Sequence, residues 1–161
     1  MDYSSEIGKI LMKNRLKIST VESCTGGLLS SKLIDVPGSS SYITLNLVTY
    51  SNEAKSKLLN VILDKEGAVS ESCAIQMAQG LYNLTKSDIC VSTTGIAGPS
   101  GGTEEKPVGL MYSAIYTKDN SQIYKIQVDS KLSRIQIKEV FTEEVLKNTY
   151  SFLKEYLNTS H

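Results

Sequence analysis

Leu16-Lys17-Ile18-Ser19-Thr20-Val21-Glu22-Ser23-Cys24-Thr25-Gly26-Gly27-Leu28-Leu29-Ser30-Ser31-Lys32-Leu33-Ile34 is the stretch from which the fold can be read. The alternating run Leu16 to Val21 predicts a strand, and Leu28 to Ile34 predicts a helix. Glu22 to Gly27 then occupy a strand-to-helix junction, the place where open α/β sheets present groups to ligands. Backbone N–H groups at a helix start lack intrahelical partners and favour negative charge. Glycine admits a ligand close to that backbone. Ser23 and Cys24 set a hydroxyl beside a thiol there. The same residues also suit a plain helix cap, because Ser and Thr are favoured N-cap types.

Outward from this junction, the chain alternates between strand and helix patterns. Ser4 or Ser5 can cap a first helix to about Asn14, with Ile7, Ile10 and Leu11 on one face. After a break at Asp35–Ser40, Tyr42 to Tyr50 is β-branched, aromatic and alternating, a strand. Ser51-Asn52 can cap a short helix from Glu53 to about Leu59. Ser70 or Ser72 opens a longer one to about Thr85. Asp88 to Thr94 is a short buried strand. The glycine loop Gly95-Ile96-Ala97-Gly98-Pro99-Ser100-Gly101-Gly102 follows. Val108–Tyr116 and Gln122–Val128 form an antiparallel hairpin turned at Lys118–Ser121. A final helix runs from about Ser133 to Leu157. This order predicts an α/β fold with a mixed sheet, including that hairpin, between two helical layers.

Bulk properties narrow the function classes. The 161 residues suit a single domain over 1–161, and 40% hydrophobic with 21% charged residues is an ordinary globular composition. Seventeen basic and seventeen acidic residues leave a net charge of zero, which gives no field for nucleic acid or an acidic membrane. No apolar run reaches the ~18 residues of a membrane span. The N-terminus lacks the basic-then-apolar order of a secretory signal. Cys24, Cys73 and Cys90 are an odd, widely spaced set, which points to reduced thiols in a cytoplasmic protein. The one histidine is His161, the last residue. A Ser-His-Asp triad or Cys-His pair in the body of the chain is thereby excluded, and His-ligated zinc with it.

Three segments share one design, a predicted strand ending in a small or polar loop: Glu22–Gly27, Thr49–Lys55 and Thr93–Pro107. If their strands are neighbours, the loops converge. The glycine loop lacks the Gly-Lys-Ser/Thr of a phosphate-binding Walker loop, yet its N–H groups can form an anion nest. An ordinary surface loop is the other reading. Without histidine, an attacking hydroxyl needs another base, and a lysine with a lowered pKa serves. A tyrosine can relay the proton. Tyr50-Ser51-Asn52-Glu53-Ala54-Lys55 offers both groups, although a core tyrosine and a solvated helix lysine fit the same pattern.

Several of these segments occur together in one order. Glu22-Ser23-Cys24-Thr25-Gly26-Gly27, Pro37-Gly38-Ser39-Ser40, Val48 to Lys55, Gly67-Ala68-Val69-Ser70, Thr94 to Pro99 with Gly101-Gly102, and Lys106-Pro107-Val108-Gly109 are similar to the successive signatures of the CinA C-terminal-domain family. The resemblance runs from about Ile7 to Phe152. It implies a three-layer α/β/α sandwich and an amidase that converts nicotinamide mononucleotide (NMN) to nicotinic acid mononucleotide and ammonia, in pyridine nucleotide salvage. It implies Ser23 as nucleophile, Lys55 as base and Tyr50 as its orienting or relaying partner. Substrate-binding candidates are Cys24, Thr25, Gly26 and Gly27, whose N–H groups would hold an oxyanion, with Asn52 and Thr94, Gly95, Ile96, Ala97 and Gly98. The expected partner is a small nucleotide, with no metal and no organic cofactor, and a homo-oligomer is compatible with the chain.

Many relatives carry a separate N-terminal domain similar to molybdopterin-binding proteins. This chain is expected to be the stand-alone form, without that domain's activity. Relatives also often show Gly-Asp-Arg before the final helix and a further Arg after it. Here the region reads Val128-Asp129-Ser130-Lys131-Leu132-Ser133-Arg134, so Lys131 or Arg134 is the candidate for that charge. Two other readings stand beside the amidase: a non-catalytic nucleotide-binding module, and an enzyme in which Cys24 attacks.

Overall fold

The computed structural model describes residues 1–159; His161 lies outside the described residues. The elements run α1 Tyr3–Asn14, β1 Ile18–Glu22, α2 Leu28–Ile34, a 3-10 turn at Ser39–Ser41, and β2 Ile43–Val48. Then come α3 Asn52–Leu59, α4 Glu71–Thr85, β3 Ile89–Gly95, β4 Leu110–Tyr116, β5 Ser121–Gln127 and α5 Arg134–Thr159. The five strands form one mixed sheet in the order β2-β1-β3-β4-β5. β1 lies parallel to both β2 and β3, and β3-β4-β5 are antiparallel.

The two faces of the sheet are covered by different helices, because strand side chains alternate between faces. On one face Ile18, Ile89, Val91, Met111 and Ile115 pack with Ile7 and Leu11 of α1, Leu29 and Leu33 of α2, and Ile137, Phe141 and Val145 of α5. On the other, Val21 and Cys90 meet Leu59 of α3 and Cys73, Met77 and Leu81 of α4. The expected three-layer sandwich is the fold observed. The central strands β1 and β3 are buried on both faces, and so read as near-continuous buried runs.

Local details differ from the sequence reading where a backbone bond or cap intervenes. Asp2, ahead of Ser4 and Ser5, caps α1, its carboxylate accepting from Ser5 N at 3.3 Å. β1 starts at Ile18 instead of Leu16, because Leu16 N donates to Leu11 O in the turn that closes α1. β4 starts at Leu110 instead of Val108. Gly109 turns there at φ +92°, where a Cβ would lie 2.2 Å from Val128 O. Ser51 and Ser70 cap α3 and α4 through Ala54 N and Cys73 N. Among the described residues no helix is long and apolar enough to cross a membrane.

Phe141 is fully buried between α5 and the sheet. Phe141→Ala is expected to lower unfolding free energy by about 3–5 kcal/mol, read by denaturant titration.

Candidate active site

Order in the sheet decides the site. β2, β1 and β3 are adjacent and parallel, so their carboxyl ends lie side by side and the three loops that follow converge. Ser23 leaves β1, Tyr50 to Lys55 leave β2, and Gly95 to Gly98 leave β3. Together they line a cavity of about 340 Å³, near the lower end of the ~300–1,000 Å³ common for small-molecule sites.

Lys55 lies in the first turns of α3 and is 1% exposed. Its Nζ is 3.0 Å from Ser23 Oγ, 2.8 Å from Thr49 O and 3.1 Å from Tyr50 O. Burial lowers the lysine pKa, since an ammonium is costly to hold away from water. The acceptor geometry suits the neutral amine as well. Its two N–H bonds satisfy the two carbonyls, and its lone pair then faces the Ser23 hydroxyl. The arrangement can take a proton from Ser23.

The loop between β1 and α2 is built around a carboxylate. Glu22 is fully buried. Its Oε1 accepts from Thr25 Oγ1 at 2.5 Å, Gly27 N at 3.2 Å and Leu29 N at 3.0 Å. Its Oε2 accepts from Ser30 N at 3.0 Å and Ser30 Oγ at 2.6 Å. The cap that Ser or Thr was expected to provide is therefore supplied by Glu22 from the end of the strand. Gly27, at the N-cap position, makes no side-chain cap. Ser23 N donates to Thr93 O at 3.1 Å, which holds the serine against β3.

The expected binding residues separate into two groups. Cys24, Asn52, Thr94, Gly95, Ile96, Ala97 and Gly98 line the cavity with Ser23, Tyr50 and Lys55. Thr25, Gly26 and Gly27 do not. Thr25 is fully buried against Glu22 and Thr93. The Gly26 N–H goes to Ser23 O, and that of Gly27 to Glu22. Of the N–H groups expected to face an oxyanion, those of Cys24 and Thr25 have no acceptor among the described residues.

Tyr50 meets its neighbours through two different groups. Its carbonyl, not its hydroxyl, holds Lys55. The hydroxyl accepts from Arg134 Nη2 at 3.1 Å, and the residue is 63% exposed. Arg134 also donates from Nη1 to Gly98 O at 2.7 Å. It joins the loops after β2 and β3 at the mouth of the cavity and lines it, whereas Lys131 does not. Gly98 sits at φ +73°, and a Cβ there would meet Val108 Cγ1 at 2.4 Å, so glycine is required. Sequence reasoning assigned no role to Ala68 and Val69, which also line the cavity. Thr94 Oγ1 donates to Ala68 O at 2.7 Å, and Lys106 Nζ donates to Val69 O at 2.6 Å. Their appearance in the Gly67–Ser70 segment was the available signal.

Cys24 is chemically unlike its neighbour. Burial pushes its thiol up to about 12, outweighing a lowering hydrogen bond to Thr93, so it stays protonated and weakly nucleophilic near neutrality. Among the described residues no three His, Cys, Asp or Glu side chains gather where they could hold a metal.

The sequence profile of the CinA C-terminal domain matches residues 1–153. The chain is 44% identical over 152 residues to a putative competence-damage inducible protein of Caldanaerobacter subterraneus, covering 92% of this chain and 35% of that one. It is 45% identical over 155 residues to a CinA-like protein of Chlorobium limicola, covering 92% and 36%. The chain thus spans about a third of the length of these relatives. Among solved structures, competence/damage inducible protein CihA from Agrobacterium tumefaciens superposes with a TM-score of 0.87 at 34% identity, covering 96% of both chains. Competence damage-inducible protein A from Klebsiella pneumoniae superposes at 0.88 with 26% identity, again covering 96% of each.

Cys24, Cys73 and Cys90 are all free and buried, and burial raises each thiol pKa. Folded protein at pH 7.5 is expected to resist a thiol-specific disulfide reagent over minutes, while all three thiols react in denaturant. Rapid modification of Cys24 in the folded state would overturn this picture of the pocket.

Proposed function

This chain belongs to the CinA C-terminal domain family, and we propose that it is an amidase hydrolysing the carboxamide of NMN through Ser23 and Lys55. The observation that carries the reading is the buried Lys55 Nζ at 3.0 Å from Ser23 Oγ in the cavity. Ser23 Oγ bonds to the carboxamide carbon while neutral Lys55 takes its proton and the carbonyl electrons move to oxygen. The Cys24 N–H, which has no acceptor among the described residues, is the assigned donor to that oxyanion. Collapse breaks the C–N bond, and the Lys55 ammonium returns the proton to the departing ammonia. Water then attacks the acyl-enzyme with Lys55 again as base, releasing nicotinic acid mononucleotide and restoring Ser23.

Charge in the cavity supports an anionic substrate. With Lys55 held as the amine, Arg134 is the charged side chain among its lining residues, and no carboxylate lines it. Arg134 spends two of its five donors on Tyr50 and Gly98, and the remaining donors suit a phosphate. We assign Tyr50 to holding Lys55 by its carbonyl and Arg134 by its hydroxyl. The free, buried thiols fit the reducing cytoplasm, where pyridine nucleotide salvage would place such an enzyme.

Purified protein is expected to release ammonia from NMN, and Ser23→Ala to abolish this while remaining folded. NMN binding without ammonia release would instead favour the nucleotide-binding module. Because burial favours the neutral amine, kcat/KM is expected to rise with pH as Lys55 deprotonates, with an inflection below the ~10.4 of an ordinary lysine. Lys55→Arg is expected to be as inactive as Lys55→Ala, since guanidinium stays protonated.

Arg134→Lys keeps the charge but loses the two-pronged hold on Tyr50 and Gly98. It is expected to raise KM for NMN about tenfold. Slow turnover of free nicotinamide, which lacks ribose and phosphate, is expected to be unaffected. Equal effects on both substrates would remove Arg134 from phosphate recognition.

A further inference from the structure

We propose that Glu22 is the positioning residue of the nucleophile, holding Ser23 and Lys55 in register through an anionic side chain that touches neither substrate nor reacting atoms. This rests on the reading of Ser23 as nucleophile. Glu22 is fully buried, and among the described residues no cation pairs with it. A buried charge of this kind is tolerated only when hydrogen bonds satisfy it. Here five donors converge, two from hydroxyls and three from main-chain N–H groups. Every partner at the carboxylate acts as a donor, so the site is matched to a group that only accepts.

The geometry ties both members of the pair to this one residue. Through its side chain, Glu22 fixes Thr25, Gly27, Leu29 and Ser30, and so the whole turn that carries Ser23. Thr25 Oγ1 lies a further 2.9 Å from Thr93 Oγ1, which accepts from Ser23 N at 3.3 Å. Through its main chain, Glu22 O accepts from Thr49 N at 2.9 Å, and Thr49 O accepts from Lys55 Nζ at 2.8 Å. The serine and the lysine therefore meet with Glu22 as their common reference. Replacement by Gln leaves an acceptor for only one of the two donor sets. In either orientation of the amide, an NH2 faces a main-chain N–H: that of Ser30, or those of Gly27 and Leu29.

The test measures the nucleophile itself, independently of NMN. An alkyl phosphonofluoridate bonds through phosphorus to Ser23 Oγ, fluoride leaves, and the serine proton passes to Lys55. Intact mass gives the rate of this labelling for wild type, Thr25→Val, Ser30→Ala and Glu22→Gln, well below the melting temperature of each. The expected rates fall about tenfold for the two single-donor variants and about 100-fold for Glu22→Gln, the scale of an ångström-level misplacement. With NMN the same variants are expected to lose kcat while KM changes little. Folded variants that label at the wild-type rate would overturn the proposal and reduce Glu22 to a stability role. If Glu22→Gln does not fold, Thr25→Val and Ser30→Ala carry the test. If wild type itself is not labelled at Ser23, the nucleophile reading fails and this proposal falls with it.

Discussion

A lysine amine taken out of water governs the architecture around it. Lys55 is 1% exposed, and its nearest polar groups are two carbonyls and a serine hydroxyl rather than a carboxylate. Among the described residues no carboxylate pairs with an ammonium ion in that place, so burial favours the amine. The carbonyls of Thr49 and Tyr50 must then point inward, which forces the chain to leave the sheet directly after β2. Ser51 starts α3 within one residue of that turn, and its hydroxyl accepts from Ala54 N. Cap, turn and buried amine are one construction, and the serine of the neighbouring loop completes it.

Much of this was legible in the chain. Glu22–Gly27, Thr49–Lys55 and Thr93–Pro107 each end a strand pattern with small or polar residues, and adjacency of their strands brings the loops together. What periodicity could not give was which atoms meet. Tyr50 reads as a side-chain chemist, yet its carbonyl faces Lys55 while its ring lies outward. Lys131 and Arg134 are near-equivalent in sequence, but Arg134 opens α5 and reaches Gly98, and its place is set by where the helix begins. Glu22 looks like one polar residue among six. Its five bonds reach up to eight residues along the chain, and no local pattern announces such convergence.

The loop also separates two adjacent side chains of similar size into different chemistries. Ser23 Oγ faces the buried Lys55 amine, while Cys24 is desolvated and kept as a thiol. A thiol is the stronger intrinsic nucleophile only once ionised. Holding it protonated leaves the hydroxyl as the group the lysine can activate, and lets the sulfur serve as a weakly polar part of the cavity wall.

The place of β1 in the sheet has a further consequence, in the order of synthesis. Ile18 to Val21 pair on one side with β2 and on the other with Ile89 to Ser92 of β3. A nascent chain ending before Ile89 already contains both the serine and the lysine, but lacks the strand that fixes Ser23 N. Parallel pairing over such a separation is a late event in folding. The Ser23–Lys55 geometry is therefore complete only once a strand some seventy residues further along the chain has joined the sheet.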